Sequence, residues 1–190
     1  MHFLRVFVIL AVLRSEDAKI MPIPPDLFRR VMSHFATGVT VVTARQPSGK
    51  PWGFTVNSFT SVSLSPPLVL FCVDHAAESL AAMSQAEYFA VNFLAASQEV
   101  ISRRFASRIP GRFEGVDYRE SPRGSPLLAG CLGFIECRKI ASHLYGDHTI
   151  IVGEVLDAEA TGGDPLLFYR SAYARISPSP TPSTPPRPGH

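Results

Sequence analysis

Two long extended stretches, residues 132–144 and 148–158, flank a turn made by Gly146 and Asp147, and they constrain the fold more than any other feature. The same character recurs upstream. Val39, Val41 and Thr43 alternate with Thr40, Val42 and Ala44, and Pro47-Ser48-Gly49-Lys50 then supplies turn chemistry. A further extended segment is predicted over 52–64. Ser65-Pro66-Pro67 breaks it, and Leu68-Val69-Leu70-Phe71-Cys72-Val73 follows as a continuous apolar strand. Residues 88–94 and 166–176 complete the set. Short helices are predicted between them. One covers 27–35, capped by Asp26 and ended by a left-handed turn at Gly38. The others cover 76–84 and 97–105. These elements do not alternate regularly as β-α-β-α, which disfavours a doubly wound parallel sheet. The expected fold is mainly β with short helices, a closed antiparallel barrel.

At 190 residues the chain has room for one domain, and 46% hydrophobic against 18% charged residues supports a packed core. Eighteen basic and sixteen acidic side chains leave a formal charge of +2, too even for an electrostatic grip on nucleic acid. Cys72, Cys131 and Cys137 have neither metal-site spacing nor the even count of a disulfide framework, so a reducing, cytoplasmic setting is expected. The domain is placed at 25–176. Before it, the apolar run 6–13 is far shorter than the roughly 20 residues that span a bilayer, and no small-x-small cleavage pattern follows it. Residues 1–24 are therefore expected to be an extension, or to reflect a start codon upstream of Met21. Residues 177–190 carry six prolines and read as a disordered tail.

Four segments can carry chemistry. Residues 53–63 hold five hydroxyls and one carboxamide, which at a strand end can cradle a phosphate or bond a heterocycle edge. An ordinary strand with outward Ser and Thr has the same composition. Gly146-Asp147-His148 presents an imidazole at the mouth of a strong strand, where it either meets a ligand or is simply a turn histidine. Arg103, Arg104, Arg108 and Arg112 either receive phosphates or form a solvated face. Tyr169-Arg170 by itself is part of an aromatic strand. His143 and His148 lack the carboxylate company of a metal site, and no metal is expected. The chain has no G-x-G-x-x-G, no P-loop and no G-x-S-x-G elbow, which removes support for dinucleotide folds, nucleotide hydrolases and α/β-hydrolases.

Taken in order, these motifs resemble a known family. They are Ala36-Thr37-Gly38-Val39-Thr40-Val41-Val42-Thr43, Asn57-Ser58-Phe59-Thr60-Ser61-Val62-Ser63, Pro66-Pro67-Leu68-Val69, Val91-Asn92-Phe93-Leu94, Gly146-Asp147-His148, Gly153-Glu154-Val155 and Asp164-Pro165-Leu166-Leu167-Phe168-Tyr169-Arg170. Together they are similar to the flavin reductases of two-component flavin-dependent monooxygenases, over about residues 25–176. The resemblance implies an FMN-binding split β-barrel, Greek-key-like, usually a homodimer. It implies reduction of FMN or FAD by NADH or NADPH, with reduced flavin passed to a separate monooxygenase. Neither a membrane nor nucleic acid is implied as a partner. Carried over by residue, Thr55, Val56, Asn57, Ser58, Val62 and Ser63 would hold the flavin ring and chain, and Asn92, Phe93 and Leu94 would continue that wall. Ser79 and Arg104 would lie toward the ribityl or phosphate end. His148 matches the residue associated with the nicotinamide, Tyr169 and Arg170 a segment near the same cofactor, and Val39 and Thr40 touch either one. A flavin-binding sensor or carrier without turnover is the alternative. An oxidase of the pyridoxamine-phosphate type is a second alternative, against which the intact Gly-Asp-His motif argues.

Overall fold

The computed structural model describes residues 23–177. The extension expected over 1–24 and the tail expected over 177–190 lie outside the described residues, apart from residues 23, 24 and 177. In chain order the elements are α1 (Pro25–Met32), β1 (Thr37–Gly38), β2 (Thr40–Arg45), β3 (Pro51–Val56), β4 (Thr60–Leu64), β5 (Pro67–Asp74), α2 (Glu78–Gln85), β6 (Tyr88–Phe93), α3 (Glu99–Ala106), β7 (Tyr118–Glu120), β8 (Pro126–Leu128), β9 (Gly133–Tyr145), β10 (His148–Ala160), β11 (Leu167–Tyr169) and β12 (Ala172–Ala174).

Seven strands form one antiparallel sheet in the order β3-β2-β6-β9-β10-β5-β4. The two outermost strands, β3 and β4, are consecutive in the chain and are joined by Asn57, Ser58 and Phe59 alone. In a flat sheet six strand spacings would separate them by about 29 Å. The connection reaches at most about 14 Å. The sheet must therefore curl until its edges approach, which makes it a barrel with an open seam. Side chains from opposite ends of the strand order accordingly meet inside it. Phe54 of β3 packs on Phe71 of β5 at 6.1 Å between ring centroids, and Phe71 on Phe89 of β6 at 5.4 Å. Val42, Val91, Cys137 and Ile151 fill the same interior, and Met83 of α2 joins them.

A second apolar layer lies on the outer side of β2 and β6. Val41 and Leu94 pack there with Phe105 of α3, Leu128 of β8 and Leu166. Gly53 permits the close approach of α3, because a Cβ at that position would meet Val42 O at 2.9 Å and Phe105 at 3.1 Å. Buried Glu136 on β9 accepts from the Ser121 hydroxyl and pairs with Arg123 at 2.9 Å, tying down the turn between β7 and β8.

Three local expectations are corrected. The extended segment over 52–64 is two strands, because the chain crosses the seam at 57–59. The first helix ends at Met32, where His34 N and Phe35 N bond back only three residues, to Val31 O and Met32 O. Pro24, not Asp26, is its N-cap, and Gly38 sits in β1 opposite Leu167. The segment over 166–176 is a hairpin, β11–β12, whose turn residues Arg170 and Ser171 have φ of 50° and 62°. The short β7–β8 pair was not foreseen.

Candidate functional site

The seam opens on two clefts. The first, of about 380 Å³, is lined by Thr55, Val56, Asn57, Ser58, Ser79 and His148, together with Arg108, Arg112 and Cys72. The fold brings these residues from six places: the end of β3, the seam connection, β5, the start of α2, the loop after α3, and the first position of β10. Six of the residues expected from sequence thus share one wall.

Within it the polar groups divide into those already engaged and those free to act. The Thr55 hydroxyl donates to Ser102 O at 2.7 Å, holding β3 to α3. The Ser58 hydroxyl donates to Cys72 O and accepts from Cys72 N, both at 3.1 Å. It continues by side chain the β4–β5 ladder that ends at the Thr60–Leu70 pair. In contrast, the Asn57 carboxamide and the buried Ser79 hydroxyl make no hydrogen bond to another described residue. The N–H groups of Asn57, Ser58 and Phe59 find no backbone acceptor among the described residues. Arg112 is nearly enclosed and donates to Gly53 O at 3.2 Å, yet its Nε has no partner. Open donors on a seam, beside a guanidinium, suit an anionic, hydrogen-bond-accepting ligand.

Gly146, with φ of 57°, makes the turn that sets His148 at this mouth. His75 N donates to Asp147 O at 3.0 Å, and the His75 ring meets the Thr149 hydroxyl at 3.1 Å, which fixes the turn against β5. His148 Nδ1 lies 2.7 Å from Asp147 Oδ1. That hydrogen bond, with the Asp147 backbone N–H and the nearby imidazole charge, holds the Asp147 carboxyl below its ordinary value. Cys72 shifts the other way: burial raises its thiol pKa, partly offset by the Ser58 hydrogen bond.

The second cleft, of about 770 Å³, is mainly apolar and is lined by Val39, Thr40, Asn57, Phe93 and Leu94 with Phe35, Phe59 and Phe134. Asn57 belongs to both. The Thr40 hydroxyl is engaged with Val56 O at 2.8 Å, so Thr40 offers the second cleft little polar capacity.

Other expected residues lie elsewhere. Asn92 is fully buried; its Nδ2 donates to Val41 O and Thr43 Oγ1, and its Oδ1 accepts from Leu128 N. It belongs to the outer packing layer, because Phe89 and Val91 take the inward positions of β6. Val62 and Ser63 lie on the outermost strand, where the pairing shifts register between Ser61 and Ser63, and they line neither cleft. Arg104 donates to Glu114 O at 2.6 Å and steadies the loop after α3; Arg108 and Arg112 are the arginines that reach the cleft. Tyr169 and Arg170 form a third group, in which Arg170 meets His34 Nε2 at 3.0 Å and its N–H bonds Ser33 O. The arginine-rich stretch pointed to Arg108 and Arg112, but nothing in it distinguished them from Arg104.

A seamed antiparallel barrel with a polar cleft on its edge-to-edge connection is a ligand-binding scaffold. The chain belongs to the flavin reductase like domain family, whose profile matches residues 32–177. It is 49% identical over 150 residues to the FMN reductase (NADH) SmoA of Agrobacterium fabrum, covering 79% of this chain and 85% of that one. It is 44% identical over 160 residues to the flavin-dependent monooxygenase reductase subunit HsaB of Rhodococcus jostii, covering 84% and 82%. Among solved structures, the Streptomyces globisporus NADH:FAD oxidoreductase SgcE6, in complex with NAD and FAD fragments, superposes with a TM-score of 0.77 at 40% identity. That match covers 83% of this chain and 98% of the other.

Proposed function

We propose that this protein is an NAD(P)H:flavin oxidoreductase that reduces FMN or FAD and supplies the reduced flavin to a separate monooxygenase. The observation that carries the reading is the seam cleft, where the unengaged Asn57 carboxamide and Ser79 hydroxyl stand beside the Arg112 guanidinium and His148. Bound flavin would supply the hydride acceptor and a nicotinamide the donor, so positioning is most of what the protein must contribute. Asn57 and the N–H groups of 57–59 suit the polar edge of a flavin ring. Ser79 and Arg112 suit its phosphate. With Nδ1 of His148 turned to the Asp147 carboxylate, Nε2 is the ring nitrogen left to meet the carboxamide of a nicotinamide.

Names of relatives support the partner: HsaB is a monooxygenase reductase subunit, and a Rhodococcus opacus relative at 35% identity is the reductase component of a nitrophenol monooxygenase. A homodimer is part of the proposal. Leu27, Phe28, Val31 and Phe35 leave an exposed apolar strip on and just after α1, beside the apolar cleft that Phe35 lines. A second subunit would cover that strip, and Tyr169 and Arg170 at the end of α1 would then lie near the covered face. The domain is taken as 25–176 and its setting as cytoplasmic. No helix among the described residues is long and apolar enough to cross a membrane.

The direct test is loss of absorbance at 340 nm with purified protein, NADH or NADPH, and FMN or FAD. Flavin-dependent oxidation is the expected result, and the four pairings rank the cofactors. Flavin binding without oxidation would overturn the reductase reading in favour of a carrier.

A further inference from the structure

Beyond Arg112 the flavin cleft continues into another of about 940 Å³, within the range of roughly 300–1,000 Å³ typical of small-molecule sites. Glu78, Arg108 and Arg112 line both, so the two clefts share a wall at the end lined by Ser79 and the arginines, away from the seam connection. The larger cleft runs between α2, the β2–β3 turn and the loop after α3. At its side stands Trp52, a half-buried indole whose ring rests on Phe54 at 5.0 Å between centroids. Lys50, at the end of the β2–β3 turn, adds a further cation.

We infer that this cleft binds the adenosine monophosphate half of FAD, with Trp52 as the stacking platform for adenine and Arg108 and Arg112 facing the diphosphate. The inference rests on the flavin-reductase reading and extends it to the choice between mononucleotide and dinucleotide. A flavin mononucleotide ends at its phosphate, at the shared wall. A dinucleotide carries a second phosphate, a ribose and a purine past that wall, where the fold provides guanidinium groups and then an aromatic face. Base–aromatic stacking tolerates any purine orientation that covers the indole. Phosphate contacts from arginine are forked and directional. Glu78 lies 3.8 Å from Arg112 Nη2 and is largely exposed, so its carboxylate can leave the wall when an anion arrives.

Trp52 is the single tryptophan of the chain, so its emission reports on this cleft alone. In the full-length protein, AMP added without flavin is expected to quench that emission saturably, and FAD to compete with AMP while FMN does not. In turnover, Trp52→Ala is expected to raise the KM for FAD about tenfold and to leave that for FMN within about twofold. Trp52→Phe, which keeps an aromatic face and the packing on Phe54, retains most of the FAD preference. Unchanged emission with AMP, or an equal rise in KM for both flavins, overturns the assignment. A rise confined to NADH would assign the adenosine to the nicotinamide dinucleotide and overturn the flavin one. Failure of the wild-type protein to oxidise NADH with any flavin would instead defeat the reductase reading, and AMP quenching would still report whether the cleft takes adenosine.

Discussion

Replacing Asn92 separates a structural role from a cofactor role at a position where sequence resemblance and packing disagree. Asn92 has no exposed surface, and both ends of its carboxamide are engaged: Nδ2 at 3.1 Å to Val41 O and 3.0 Å to Thr43 Oγ1, and Oδ1 at 2.8 Å from Leu128 N. Asn92→Leu keeps the branched outline of the side chain, with two bulkier methyl groups, but removes all three bonds. The buried Leu128 N–H loses its acceptor and Val41 O loses a donor, at about 1–3 kcal/mol each. Thr43 keeps its bond to Pro126 O, so its loss is smaller. Against some return from the added apolar surface, the net destabilisation is about 2–4 kcal/mol. Urea unfolding followed by circular dichroism should show the midpoint lowered by about 1–2 M with an unchanged slope. At a temperature where the variant is folded, the KM for flavin should match the wild type. A variant as stable as the wild type that binds flavin poorly would refute this reasoning and return Asn92 to the flavin wall.

Other outcomes follow from the same contacts. His148→Ala should raise the KM for the nicotinamide more than that for flavin, in steady-state assays at saturating partner; unchanged nicotinamide kinetics would remove His148 from that role. Ser58→Ala leaves both the N–H and C=O of Cys72 without their seam partner, and amide exchange at Cys72 should quicken while that of Ile151 in the interior does not. Burial, with the neighbouring Glu136 carboxylate, pushes the Cys137 thiol up to about 12, so at pH 8 only about one in ten thousand is thiolate. Cys137 should resist a disulfide reagent in the native protein, and all three thiols should react after unfolding. Because the folded state holds that proton more tightly, its stabilising effect is complete below pH 9 and is lost as the pH rises toward 12.

Much of this was legible in the chain. The alternation around Val39–Ala44 and the apolar run after Pro67 marked real strands, and Gly146-Asp147 marked the turn that presents His148. What stayed hidden depends on distant partners. The segment over 52–64 looks continuous because Asn57, Ser58 and Phe59 contain no glycine or proline, and only the meeting of the sheet edges shows why it must break there. Asn92 looks like a ligand group in isolation. Its burial follows from β6 alternation, with Phe89 and Val91 inward, but its three partners come from β2 and β8. The arginines were visible as a cluster, whereas the division of labour between Arg104 on the loop and Arg112 in the cleft is set by the path of the chain after α3.

The three-residue link across the seam also separates what can vary from what cannot. Its span is fixed by the closure of the barrel, so residues 57–59 act as a gauge of constant length, and an insertion there would slacken the whole cylinder. The loop after α3 carries no such duty, since residues 107–117 bridge elements outside the barrel wall. New ligand preferences are therefore more readily acquired by redesigning that loop and the face of α2 than by altering the link, and a programme of engineered specificity should start at Arg108 and leave Ser58 untouched.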